Sequence, residues 1–230
     1  RELRQQSPIL PQIILIWPEP LWMIVRVLTS TAVVLTDFRE IGCVQRGLYK
    51  LLDRPMIEYV LDALPDEVEE LVISVRDEVV RDAYAATAEK YIANIHVSQA
   101  GLGGILKAYM PLSKSDRFLI LPCDAPLITQ EFTTFILETC RKFSAAILRD
   151  AEGRVEYLFS AYRKAPFLEA CSSSRSEDMA EIIRNIKNAL FIYTGALKVF
   201  DQKMNMLFRV TNSSEARRAE RIISGRMKKL

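Results

Sequence analysis

Asp124 is the side chain whose setting points most directly to chemistry. It stands in Leu121-Pro122-Cys123-Asp124-Ala125-Pro126, directly after the strand-like run Phe118-Leu119-Ile120-Leu121. In an open parallel sheet, ligands sit beyond the carboxyl ends of the strands, where loops converge and the amino termini of the following helices point inward. A carboxylate there, stiffened by prolines on both sides, suits a magnesium ion that also takes oxygens from substrate phosphates. Aspartate is equally at home capping a turn or a helix, so the residue pattern alone leaves both readings open.

Few other chemistries have the material they need. His96 is the only histidine, which leaves nothing for histidine triads or multi-histidine metal sites. Cys43, Cys123, Cys140 and Cys171 lie far apart with no Cys-x-x-Cys pair, an argument against zinc or a disulfide framework and for a reducing, cytoplasmic setting. Lys and Arg total 31 against 29 acidic residues, so the net charge of +2 predicts no nucleic-acid partner. The basic run from Arg217 to Lys229 reads as the solvated face of a terminal helix. Gly101-x-Gly103-Gly104 lacks the third glycine of a dinucleotide-binding turn, because Leu106 stands in its place, and reads as a tight turn into a helix.

The elements that must position Asp124 alternate between short β-branched runs and amphipathic stretches. This is the pattern of an α/β domain with three layers, a mostly parallel Rossmann-like sheet between helices. Strands are expected at 32–35, 71–75, 94–97, 118–121, 145–148, 157–162, 189–193 and 207–210. Helices are expected at 55–64, 77–91, 101–110, 129–142, 174–188 and 216–229, the fifth from the capping-box spacing of Ser174 and Glu177 and the last from Asn212 with Glu215. The length fits one large domain over residues 32–230. Residues 1–31 are expected to be an N-terminal extension, non-native or loosely packed. Pro11, Pro18, Glu19, Pro20 and Arg26 break its apolar run well short of the ~20 residues that a membrane span needs, so no membrane partner is expected.

Two segments resemble a known family. Leu121-Pro122-Cys123-Asp124-Ala125-Pro126 is similar to the C-D-x-P segment of the molybdenum cofactor guanylyltransferases and their relatives, among them the archaeal cobinamide-phosphate guanylyltransferases. Gly47 to Val60 resembles the stretch after the family's catalytic lysine, roughly K-x-L-L-x-L-x-G-x-P-M-I-x-x-V, which places Arg46 at the lysine. The resemblance implies a nucleotidyltransferase fold and transfer of GMP from GTP to a phosphate-bearing acceptor such as a molybdopterin-type cofactor. Pyrophosphate would be released, and the protein would act as a monomer or homodimer. It implies magnesium on Asp124, catalytic roles for Arg46 and Asp124, and nucleotide contacts from Leu35, Thr36, Arg39, Gly42, Arg46, Gly101 and Gly103.

The same resemblance sets Phe208-Arg209-Val210-Thr211-Asn212-Ser213 against the family's N-x-N-T and implies Asn212 as a second metal ligand, although its spacing to Glu215 already explains it as a helix cap. The chain departs from the family in its phosphate loop. Where relatives read L-A-G-G-x-x-x-R-x-G, it reads Leu35-Thr36-Asp37-Phe38-Arg39-Glu40-Ile41-Gly42, and Asp37 and Glu40 repel phosphate. That departure favours, as an alternative, a catalytically impaired relative that binds a nucleotide or a protein partner, while the shared fold and an acceptor pocket that the residues do not specify leave a sugar-phosphate nucleotidyltransferase as another.

Overall fold

Ala32, Val33 and Val34 are wholly buried, as expected of the central strand of a sheet covered on both faces. The structure, a computed structural model, describes residues 29–36, 39–174 and 176–228. The expected N-terminal extension lies outside the described residues up to residue 28, and Ser30 and Thr31 at its inner end already belong to β1 (Ser30–Leu35).

After β1 the chain forms two small hairpins. The first, β2 (Glu40–Ile41) with β3 (Val44–Gln45), turns at Gly42, whose φ of +66° is the left-handed conformation that glycine adopts without strain. A single 3-10 turn, Arg46–Leu48, leads to the second, β4 (Lys50–Leu51) with β5 (Arg54–Pro55). Then follow α1 (Met56–Leu61), β6 (Val68–Val75), α2 (Glu78–Ala88), β7 (Asn94–Val97) and α3 (Leu102–Tyr109). Next come β8 (Arg117–Pro122), α4 (Gln130–Thr139), β9 (Ala145–Arg149) and β10 (Val155–Arg163). The chain continues with α5 (Lys164–Ser173), α6 (Met179–Asn185), β11 (Ala189–Tyr193) and α7 (Ser213–Met227).

Seven strands form one sheet in the order β11-β9-β10-β8-β1-β6-β7. β1 pairs in parallel with β6 and β8, and β10 is the one antiparallel member. The expected three layers are present. Ala32, Val34 and Ile73 face α1, α2 and α4 through Ile57, Tyr84 and Phe132. Val33, Val72 and Ile120 face α3, α5 and α6 through Leu106, Phe167 and Ile182. A third apolar cluster joins Ile41, Leu51, Met56, Leu127 and Val210 to Ala216, Ala219 and Ile223 of α7.

Two expectations fail for local reasons, and one helix stands where none is expected. The run from Lys164 is helical although its third residue is Pro166, which the first turn of a helix tolerates because its missing N–H has no intrahelical partner there. Ser174 therefore terminates α5, and the carboxylate that caps α6 is Asp178, accepting from the Ala180 amide. In place of a strand at 207–210 there is a 3-10 turn, Asn205–Leu207, and an extended segment whose Val210 amide donates to the Asp124 carbonyl at 2.8 Å.

At the amino edge of the sheet, Glu70 of β6 accepts from Thr31 Oγ1 at 2.8 Å, from Ser113 Oγ at 2.6 Å and from Tyr109 Oη. Burial pushes the Glu70 carboxyl up, but these three hydroxyl donors outweigh it and hold the group below its ordinary range. The depressed folded value means that this stabilisation is present above the unfolded pKa of about 4.3 and is lost as pH falls through the folded one. Glu70→Gln should therefore cost about 1 kcal/mol at pH 7, and the gap to the parent should close on acidification below pH ~4, as read by urea unfolding at several pH values.

Candidate functional site

Since β10 alone is reversed, the other six strands of the sheet end at one edge, and Asp124 lies there just past β8. The Cys123 amide donates to the Leu35 carbonyl at 3.0 Å, fixing the exit of β8 beside that of β1. Asp124 is 1% exposed, and both its oxygens accept from arginine. Arg209 grips it with a two-pronged fork, Nε to Oδ1 at 2.7 Å and Nη2 to Oδ2 at 2.9 Å. Arg46 Nη1 adds a third bond, to Oδ2 at 3.0 Å. Burial works against the Arg209 cation, yet its bond to Asp124 outweighs that cost and holds its pKa above the ordinary arginine value.

The neighbour of Arg46 explains how that side chain reaches the site. A Cβ on Gly47 would stand 2.7 Å from Tyr84 Oη and 3.2 Å from Cys123 Cβ, so only glycine lets the 3-10 turn lie against both α2 and the end of β8. Arg46 is thereby held with a side chain 5% exposed, whereas that of Arg209 is 32% exposed. Arg209 lines a cavity of about 350 Å³ that also takes in Asp150, Arg154, Glu156 and Phe159. A larger hollow of about 780 Å³ between Asp201, Lys203 and Arg218 includes none of the strand-end residues.

The remaining residues implied for the site divide by what they touch. Thr36 donates through both its amide and Oγ1 to the Ser74 carbonyl at 3.0 Å, and Leu35 supplies the carbonyl that Cys123 uses, so both brace the strand ends. Arg39 is exposed beside the first hairpin, where its carbonyl accepts from the Arg46 amide. Gly42 and Gly101 have open space where a Cβ would project. Gly103 does not, for a Cβ there would lie 2.1 Å from the Glu177 carbonyl oxygen, and this close packing accounts for the glycine. Asn212 Oδ1 accepts from the Ser214 and Glu215 amides, each at 3.0 Å, so the oxygen expected to bind metal caps α7.

The donor set can be weighed against magnesium on this geometry. Mg²⁺ requires near-ideal octahedral oxygen coordination. The Asp124 oxygens are engaged by guanidinium groups and the Asn212 oxygen by amides. The described residues contain no group of three or more His, Cys, Asp or Glu able to hold a metal. In this arrangement the Asp124 oxygens are held by Arg46 and Arg209, and the Asn212 oxygen by the cap of α7. Arg209, which the sequence reading did not single out, takes both carboxylate oxygens. The available signal was a basic residue inside the segment set against N-x-N-T.

Similarity to known proteins covers Arg46 and Asp124 but stops short of Arg209 and Asn212 in the family match. A family model described as the MobA-like NTP transferase domain matches residues 39–189. The chain belongs to that family. Among curated relatives, the molybdenum cofactor guanylyltransferases of Shewanella woodyi and Shewanella baltica are each 29% identical over 119 residues, 51% of this chain and 59% of theirs. The chain thus spans less than two thirds of the length of those relatives.

Of solved structures, molybdopterin-guanine dinucleotide biosynthesis protein A from Archaeoglobus fulgidus superimposes with a TM-score of 0.67 at 16% identity, covering 86% of this chain and 100% of that one. CMP:2-keto-3-deoxy-manno-octonic acid synthetase follows at 0.62 and 14% identity, covering 86% and 99%. Identities this low establish a shared fold. No described helix of this MobA-like domain is long and apolar enough to cross a membrane.

Two substitutions probe how the domain builds its site. Gly47→Ala should lower stability by about 1–3 kcal/mol, because a methyl group is forced into Tyr84; an unchanged thermal midpoint would contradict the close approach. Asn212→Ala should cost about 1 kcal/mol equally with and without magnesium, as a lost cap would; a magnesium-dependent difference in melting would instead mark a ligand.

Proposed function

We propose that this protein transfers a nucleoside monophosphate, GMP from GTP, to a phosphate-bearing acceptor of the molybdopterin type. An acceptor phosphate oxygen attacks the α-phosphorus of GTP, the bond to the β-phosphate breaks, and pyrophosphate leaves. The observation that carries this reading is the strand-end carboxylate gripped by Arg46 and Arg209 within a MobA-like domain, at the edge where such sheets bind ligands. Such a transfer depends mainly on holding the reactants in line and on neutralising charge around the attacked phosphorus. Arg46, in the place of the family's lysine, keeps that positive charge with a planar, forked shape suited to phosphate. Magnesium is expected from the resemblance, and no step of the proposal runs through it. A cytoplasmic location agrees with four free cysteines, three of them buried.

One observation favours a second reading, a relative that binds nucleotide without turning it over. Asp124 is already neutralised by arginines, and breaking a buried ion pair costs about 3–5 kcal/mol. Pyrophosphate release from GTP in the presence of a molybdopterin acceptor, run beside GTP calorimetry, separates the two. Turnover is expected, and Arg46→Gln should reduce it ~10²–10³-fold. GTP binding without release of pyrophosphate would favour the second reading, and turnover only with a sugar phosphate would move the acceptor to that class. Neither binding nor turnover would defeat both.

A further inference from the structure

Within β10 the backbone departs from the ladder in one place. Glu156 pairs with Leu148 of β9 and the next paired residue is Ala161, opposite Ala146, so residues 157–160 stand against Ile147 alone. Phe159 lies inside this bulge with a φ of +54°, and among the described residues it is the one non-glycine with positive φ inside a strand. Strain of this kind gathers at ligand sites, and bulges beside such sites re-aim side chains. Two bonds hold the bulge: Ser160 Oγ donates to the Tyr157 carbonyl at 2.6 Å, and the Leu158 amide donates to Glu156 Oε1 at 3.0 Å.

The cavity of about 350 Å³ lies at this bulge, on the β9 and β11 side of β8, with Leu148, Phe159 and Leu207 among its walls. Four charged side chains line it and their charges cancel, Asp150 and Glu156 against Arg154 and Arg209. Arg154 is held by Asp150 at 2.6 Å and by Glu152 at 3.2 Å, and Arg209 by both oxygens of Asp124. Neither guanidinium can turn to a phosphate without giving up a carboxylate. Glu156 differs, for among the described residues its Oε2 has no hydrogen-bond partner. The cavity therefore offers apolar walls and one carboxylate, which suits an uncharged flat ring that donates hydrogen bonds.

We infer that Glu156 selects the acceptor by its ring, the carboxylate accepting from the adjacent N–H groups of a 2-amino-4-oxo pyrimidine edge such as a pterin presents. This rests on the molybdopterin-type acceptor of the proposed function. Arg209 stays on Asp124 throughout. A carboxylate has about four lone-pair sites, so Oε1 serves the Leu158 amide while Oε2 takes a ring donor in a charge-assisted bond. Guanine carries the same edge, and the experiment separates the two rings.

The full chain and its Glu156→Gln variant are titrated by calorimetry with pterin (2-amino-4-oxopteridine), with 2,4-dioxopteridine and with GTP. In the variant the amide oxygen can still accept from Leu158, which turns its NH2 group toward the ring's own donors. The thermal midpoint should therefore match the parent's, while affinity for pterin falls about tenfold or more and affinity for GTP is kept. The parent should bind 2,4-dioxopteridine at least about tenfold more weakly than pterin, because an oxygen then faces the carboxylate. Equal pterin affinity in parent and variant, equal affinity of the parent for the two pteridines, or no pterin binding would overturn the inference, and pyrophosphate release with a molybdopterin acceptor would still uphold the proposed function. A tenfold loss for GTP in place of pterin would put guanine in the cavity and overturn the assignment to the acceptor. Pterin binding that depends on Glu156, without any such turnover, would defeat the proposed function alone.

Discussion

The carboxylate of Asp124 ties together three parts of the chain that are distant in sequence: the turn after the first hairpin, the end of β8 and the approach to α7. Its side-chain oxygens take Arg46 and Arg209, and its backbone carbonyl takes the Val210 amide. Removing one partner from a buried ion pair is far more costly than losing a surface bridge, because the charge left behind has no water. The cluster therefore fixes where the C-terminal segment must lie. Val210 and Ile41 are buried in one apolar cluster with Ala216, Ala219 and Ile223 of α7, which holds that segment in place.

The opposite edge of the sheet is secured by different means. Glu70 collects three hydroxyl donors, and Arg117, fully buried at the start of β8, pairs with Glu67 at 2.9 Å and with Glu138 at 3.3 Å. These networks pin β1, β6 and β8 at the end away from Asp124. The three central strands thus deliver their carboxyl ends in fixed register, Leu35 level with Ser74 and Pro122.

Where apolar periodicity carried the signal, the fold was legible from the residues. β7 spans 94–97 and β11 spans 189–193 as read from the sequence, and Thr129 caps α4 through the Phe132 amide. Polar spacing misled at Ser174 and Glu177, because a box-like spacing says nothing about whether the preceding chain is already helical, as it is through Pro166. Within the site, Asp124 and Arg46 were singled out as a metal ligand and a phosphate-binding cation, and the structure sets them side by side. Arg209 escaped notice because a single arginine in an irregular segment has no periodicity, and its pairing spans 85 residues of chain. Gly47 was hidden for a related reason: the need for a missing side chain lies in Tyr84 and Cys123, both remote in sequence.

The contribution of Arg209 from so late in the chain also bears on the order of synthesis. When β8 emerges from the ribosome and pairs with β1, Asp124 has only Arg46 for company. Its second guanidinium arrives after β9, β10 and β11 have been made. The fork that completes the Asp124 cluster is thus encoded in the last stretch before α7.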